Sequence, residues 1–178
     1  KFKGAKALRS AGNIKQWAEI KENVLNNFTL ELADVLRHYQ PQLKTARNIY
    51  ALPILNPDSQ EWFSQSLTGF SNSYDYTAIM AMPYMENAKD PQVWLNNLQN
   101  KVIESGVAAN KIIFELQAVD WRTAKAIDTT TMVEQMHNII RGGHLNLAYY
   151  PDNVHKNHPD LNLIREGISL DSFPYREK

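Results

Sequence analysis

Tyr76-Thr77-Ala78-Ile79-Met80-Ala81-Met82-Pro83 is the stretch on which the fold turns. It is nearly all apolar, which suits a strand of parallel sheet covered on both faces. Working outward, Thr45–Ala51 lies before it, and Lys111–Ala118 and His144–Tyr150 lie after it. Each of these strands runs into a loop rich in Asn, Asp, Pro and aromatics, and the first three loops lead on into amphipathic helices. The strand starts Thr45, Tyr76, Lys111 and His144 are spaced about 31, 35 and 33 residues apart, the length of one strand plus its crossover helix. Four such units across Thr45–Pro151 predict an α/β fold: half of a (β/α)8 TIM barrel, with a helical segment in front of it. A full barrel takes about 250 residues. With 178 residues, the whole of 1–178 is expected to be the carboxyl-terminal half of a larger barrel domain.

Nineteen Lys and Arg balance nineteen Asp and Glu, so the chain lacks the electrostatic footprint of a duplex nucleic-acid binder or a polybasic membrane binder. An uncharged or weakly charged ligand fits better, and no nucleic-acid partner is expected. A hydrophobic fraction of 43% with four Trp supplies one core. Nothing approaches the roughly 20 continuous apolar residues of a membrane span, and Lys1-Phe2-Lys3 leads into no signal-peptide hydrophobic region. The absence of cysteine excludes disulfides and thiolate zinc sites, and no cofactor or metal is expected. Gly-rich phosphate loops and the Gly-x-Ser-x-Gly elbow are also missing.

Ahead of the first strand, Ile14, Trp17, Ile20, Val24 and Leu25 recur at helical spacing. Thr29 then offers an amino-terminal cap to a second run through Leu36, which Pro41 ends. In the first strand Arg47 and Ile49 share one face, with Ala46, Asn48 and Tyr50 on the other. Asn56 and Pro57 start the next helix, whose buried stripe is Phe63, Leu67 and Phe70. Val93, Trp94, Leu98, Val102 and Ile103 mark the helix after the second strand. In the third strand Ile112, Phe114 and Leu116 would meet the helices, leaving Glu115 and Gln117 directed into the barrel. Asp128 or Thr129 caps the next helix, which Gly142-Gly143 ends. Leu161–Leu170 reads as a terminal helix, and Phe173-Pro174-Tyr175 as a loosely docked tail.

Barrel active sites gather on the loops that follow the strand carboxyl ends. Those exits carry Tyr50, Tyr84, Glu86, Glu115, Gln117, Asp120, Trp121, Tyr149, Tyr150, Asp152 and Asn153. Aromatics beside carboxylates and amides are the chemistry of a sugar groove: ring faces cover the C–H side of a pyranose while polar groups bond its hydroxyls. The alternative is that these aromatics merely close the barrel end. Trp17 and Trp94 fit helical stripes and are expected in the core. Trp62 and Trp121 lie off the local apolar period, on or beside loops, and are the expected ligand platforms. Glycoside hydrolysis generally uses two carboxyl groups, and Glu115 is the best inward-facing candidate for a catalytic one. Its structural alternative is a buried carboxylate paired with a neighbour such as Arg47. Asp75 precedes its strand and is read as structural, and His155 and His158 as solvated loop residues rather than metal ligands.

Four ordered segments then become specific: Thr45-Ala46-Arg47-Asn48-Ile49-Tyr50-Ala51-Leu52-Pro53, Tyr74 through Glu86, Glu115-Leu116-Gln117-Ala118 and Tyr149-Tyr150-Pro151-Asp152-Asn153. Together they resemble the carboxyl-terminal domain of the PgaB/HmsF family. In that family a polysaccharide deacetylase domain precedes a glycoside-hydrolase-like barrel that handles poly-β-1,6-N-acetyl-D-glucosamine, a biofilm exopolysaccharide. The resemblance implies a periplasmic, outer-membrane-associated protein that binds partly deacetylated polymer, works with the export machinery and, in some members, cleaves the polymer. By position Trp62 and Trp121 match aromatics of the family's groove. The deacetylase domain and the barrel's earlier strands, which carry the family's proposed catalytic aspartate, have no counterpart in this sequence. The resemblance therefore implies weak binding at most by this half alone, and no independent hydrolysis. A non-catalytic carbohydrate-binding domain and a self-standing or dimeric half-barrel are the other readings.

Overall fold

The computed structural model describes residues 13–172; Lys1–Lys3 and the Phe173-Pro174-Tyr175 tail lie outside them. A long helix α1 (Ile14–Tyr39) leads into strand β1 (Ala46–Tyr50). Three short helices follow, α2 (Leu52–Leu55), α3 (Gln60–Phe63) and α4 (Leu67–Ser73), before β2 (Tyr76–Ala81). Helix α5 (Pro91–Glu104) crosses to β3 (Ile112–Gln117). A small hairpin of β4 (Val119–Asp120) and β5 (Lys125–Ala126) precedes α6 (Thr129–Arg141), then β6 (Leu147–Tyr150) and α7 (Leu161–Ser172).

The main sheet has the order β1-β2-β3-β6, with every pairing parallel. This is the predicted series of four βα units side by side. Among the described residues no strand pairs with the outer edge of β1 or of β6, so the sheet is open at both sides, as half a barrel must be. The register places Ile49, Ile79 and Phe114 in one row. These, with Ile112 and Leu116, are sealed between the sheet and Leu95, Leu98, Val102, Met132, Met136 and Ile139 of α5 and α6. Each such side chain contributes about 1.5–3 kcal/mol by leaving water.

The helix starts are set by short polar side chains. Asp90 accepts from the Gln92 and Val93 N–H groups, both at 3.0 Å, with Pro91 at the first helical position. Asp128, not Thr129, caps α6 by accepting from Thr130 N at 2.9 Å and Thr131 N at 3.4 Å. At the other end of α6, Gly143 adopts φ +91, the left-handed conformation expected where that helix stops.

Several expectations need correction. The two helices before β1 are one helix, because Thr29 does not cap. Its hydroxyl donates back to Leu25 O at 3.0 Å and Asn26 O at 2.9 Å, which leaves the backbone helical. Trp17 is not in the core but 36% exposed, whereas Trp94 does pack against it. Indeed α1 is inverted. Its buried positions are Ala18, Glu22, Asn26 and Ala33, while Val24, Leu25, Phe28, Leu32, Val35 and Leu36 face outward. The polar residues are used: Glu22 accepts from Ser66 N at 3.0 Å and Ser66 Oγ at 2.7 Å, and Asn26 accepts from Arg47 at 3.3 Å and Tyr74 at 3.2 Å. The apolar period was read correctly, but a period says only that a face is apolar, not that this chain covers it.

Phe63, Leu67 and Phe70 are not on one helix either. Ser64 takes φ 52, which breaks the run into α3 and α4 and leaves Phe63 half-buried. In α5 the buried apolar positions are Leu95, Leu98 and Val102, with Val93 and Ile103 exposed.

Candidate functional site

The face of the sheet turned away from the helices carries Ala46, Asn48 and Tyr50 of β1, Tyr76, Ala78 and Met80 of β2, Ile113, Glu115 and Gln117 of β3, and Ala148 and Tyr150 of β6. Tyr50, Met80, Glu115 and Ala148 form one row across it, with Gln117 and Tyr150 side by side one step nearer the carboxyl rim. Glu115 is the one carboxylate of these strand positions. It is half-buried and accepts from Asn48 Nδ2 at 2.7 Å. Burial raises its carboxyl above the ordinary value, and the Asn48 bond opposes that rise. Arg47 is not its partner. It lies on the other face, stacked on Phe70 and Tyr74 and donating to Asn26, Thr29 and Tyr74.

Gln117 is placed on this face as expected, yet it is fully buried and both ends are occupied. Its Oε1 accepts from Met85 N at 3.0 Å and its Nε2 donates to Val119 O at 2.9 Å, tying the β2 exit to the β3 exit. The β4–β5 hairpin, which the sequence reading took as a loop, carries Trp121 at its turn. Asp120 braces that turn by accepting from Arg122 N and Thr123 Oγ1, both at 3.0 Å, and Arg122 reaches Asn87 on the β2 exit. Desolvation acts against the charged form of Asp120, but these bonds and the Arg122 charge win and hold its carboxyl below the usual value. Tyr84 sits close by, its hydroxyl raised first by burial and then by the Asp120 charge.

Trp121 is 41% exposed and its ring lies 6.2 Å from that of Tyr150, at 31°. At the opposite side of the rim, Tyr50 packs on Phe63 with ring centroids 4.9 Å apart, and the neighbouring Trp62 is 68% exposed. Both indoles therefore lie on connections leaving the carboxyl ends of strands. Tyr149 does not join them. Tyr149 falls in the Leu116 row on the helix side and packs against the core. Its hydroxyl is raised by burial and then by the Asp152 charge.

Asn48 and Met80 are absent from the strand-exit candidates, although the alternation of β1 and β2 puts both on the inner face beside Tyr50. Glu86 on the β2 exit is another half-buried carboxyl, raised by burial. Asp75 is structural as expected. It accepts from Thr45 N at 2.8 Å and Thr45 Oγ1 at 3.0 Å and pairs with Lys44 at 3.2 Å. His158 bonds Ala118 O at 2.9 Å, and among the described residues no group of three His, Asp or Glu could hold a metal. None of the described helices is long and apolar enough to cross a membrane.

Four parallel βα units side by side, open at both edges, define the class: one half of a (β/α)8-type barrel. The chain belongs to hypothetical glycosyl hydrolase family 13, GHL13, whose model matches residues 3–150. It is 42% identical over 166 residues to the poly-beta-1,6-N-acetyl-D-glucosamine N-deacetylase of Escherichia coli K12, and equally to that of E. coli O157:H7. The match takes in 90% of this chain and 25% of each relative, so the chain spans a quarter of their length. Among solved structures it resembles the PgaB (BpsB) glycoside hydrolase domain from Bordetella bronchiseptica, with 40% identity and a TM-score of 0.87, over 93% of this chain and 47% of that one.

Proposed function

We propose that this chain is the second half of a PgaB-like glycoside hydrolase barrel that binds and processes poly-β-1,6-N-acetyl-D-glucosamine. The carrying observation is the ordered likeness to a solved hydrolase domain at 40% identity, in a chain whose rim carries aromatics on both sides of a polar concave face. In this reading Trp62, Trp121 and Tyr150 are platforms for sugar rings, and Tyr50 extends the β1 side. Glu115 faces the polymer, while Tyr84, Gln117 and Asp120 hold the rim loops in shape. Tyr149 and Asp152 contribute from outside the groove. The other barrel half closes the open edges of β1 and β6 and covers the apolar stripe of α1. By family resemblance the full protein also carries a deacetylase domain, sits in the periplasm at the outer membrane and hands polymer to the export machinery.

A second reading, a non-catalytic domain that guides polymer during deacetylation and export, is favoured by one observation: the inner strand positions supply a single carboxylate, and hydrolysis generally needs two. Incubating the complete barrel with poly-N-acetylglucosamine and measuring chain length separates them. Shortened oligosaccharides are expected. Binding without any change in length would establish the second reading, and absence of binding would end both.

A further inference from the structure

The contact between Asn48 and Glu115 spans a whole strand. Asn48 is on β1, Glu115 on β3, and β2 runs between them. Their rows differ by one step: Asn48 aligns with Ala78 and Ile113, Glu115 with Met80 and Tyr50. The amide therefore reaches diagonally, over the position where β2 offers only the methyl of Ala78. Asn48 is on the exposed side of an edge strand, where water could satisfy its amide, so the bond is not forced by burial of the donor. The carboxylate is anchored through Oε2 at 2.7 Å, and Oε1 accepts no hydrogen bond from the described residues.

We infer that Asn48 is a positioning residue, which fixes the Glu115 carboxyl by one oxygen and leaves the other for a sugar hydroxyl in the groove. The inference rests on the reading of the concave face as a polymer groove. Geometry carries it, and electrostatics agrees. The inner faces of the strands packed beside Glu115 offer Ala46, Asn48 and Tyr50 from β1, Tyr76, Ala78 and Met80 from β2, and Ala148 and Tyr150 from β6, so their titratable groups are tyrosines. Beyond the strand ends Glu86, Asp120 and Arg122 lie on the rim loops; burial raises the Glu115 carboxyl and the Asn48 bond lowers it. An amide that donates to a carboxylate stabilises the charged form, so its removal raises the pH at which Glu115 takes up a proton.

The test uses the complete hydrolase domain as wild type, Asn48→Ala, Asn48→Gln and Glu115→Gln. The Glu115 side-chain carbon resonance is followed by NMR between about pH 4 and 8, and the affinity for a β-1,6-linked N-acetylglucosamine oligosaccharide is measured over the same range. In Asn48→Ala the Glu115 midpoint is expected to rise above that of wild type, with the melting temperature unchanged. The Glu115-dependent limb of the binding profile moves with it, is absent in Glu115→Gln, and returns toward wild type in Asn48→Gln, which keeps the donor. An unchanged midpoint in a folded Asn48→Ala domain overturns the inference, as does a binding profile indifferent to both residues. If the wild-type domain binds no oligosaccharide, the groove reading fails, while the NMR midpoint still decides whether Asn48 acts on Glu115.

Discussion

The two faces of one sheet were built to different standards. On the helix side, Ile49, Ile79, Phe114 and Leu116 are wholly buried. On the inner side, the alternate residues of the same strands mix polar, aromatic and small side chains with Met80 and Ile113, and Tyr50 and Tyr150 are exposed and Glu115 half-buried. A strand's period of two lets one sequence carry both demands, so stability and recognition can be changed almost independently. The difference teaches that apolar packing is concentrated on the helix side, while the other face keeps exposed side chains at Tyr50 and Tyr150.

The strongest attempt to break this comparison is Phe114→Ala. It should cost about 3–5 kcal/mol, read as a shift of the urea midpoint, because it empties a sealed site. The neighbouring Glu115→Gln should leave that midpoint almost unmoved. A large loss in Glu115→Gln would show that the concave face also holds the fold.

Gln117→Leu sharpens the comparison, since Gln117 is on the open face but behaves as a core residue. The change orphans Met85 N–H and Val119 C=O and is expected to cost about 1–3 kcal/mol, measured in the same way.

Trp62→Ala and Trp121→Ala should each weaken oligosaccharide binding by the complete barrel by about 1–2 kcal/mol, roughly five- to thirtyfold, with little loss of stability. Titration of tryptophan fluorescence measures it. Unchanged affinity in both variants would remove the platforms from the site.

The smallest effect lies at neither face. The Thr45 N–H leads the hydrogen bonds that lower the Asp75 carboxyl from 3.8 to about 2, against the opposing pull of desolvation, with the Thr45 hydroxyl and Lys44 helping. The folded value is below the unfolded one, so the stabilisation is complete above about pH 4 and is lost as pH falls toward 2. Asp75→Asn should therefore be slightly less stable than wild type at neutral pH and equal to it near pH 2, by chemical unfolding at both.

The periodic parts of this molecule were legible in the sequence. Alternation in β3 assigned Ile112, Phe114 and Leu116 to the helices and Glu115 to the interior, and the strand spacing foretold the parallel order. What escaped was aperiodic. Thr29 looked like a cap because hydroxyls cap helices, yet the same hydroxyl can bond backward and let the helix continue. Ser64 gives no sign of its left-handed backbone, and strands of two residues, as in the β4–β5 hairpin, are too short to show a period. Of the candidate site, the positions of Trp62, Trp121 and Tyr150 at strand exits and of Glu115 on the inner face are legible from strand order and alternation. Tyr149 was not separable from Tyr150 without the register, since adjacent residues point to opposite faces.

The inverted helix α1 carries a practical consequence. With Glu22 and Asn26 engaged inward and Val24, Leu25, Phe28, Leu32, Val35 and Leu36 outward, this chain is sticky on one side. It should cling to hydrophobic resin, brighten an apolar-sensing dye and come out of solution as salt is added, all while its sheet and caps remain intact. Handling this chain on its own would call for mild detergent.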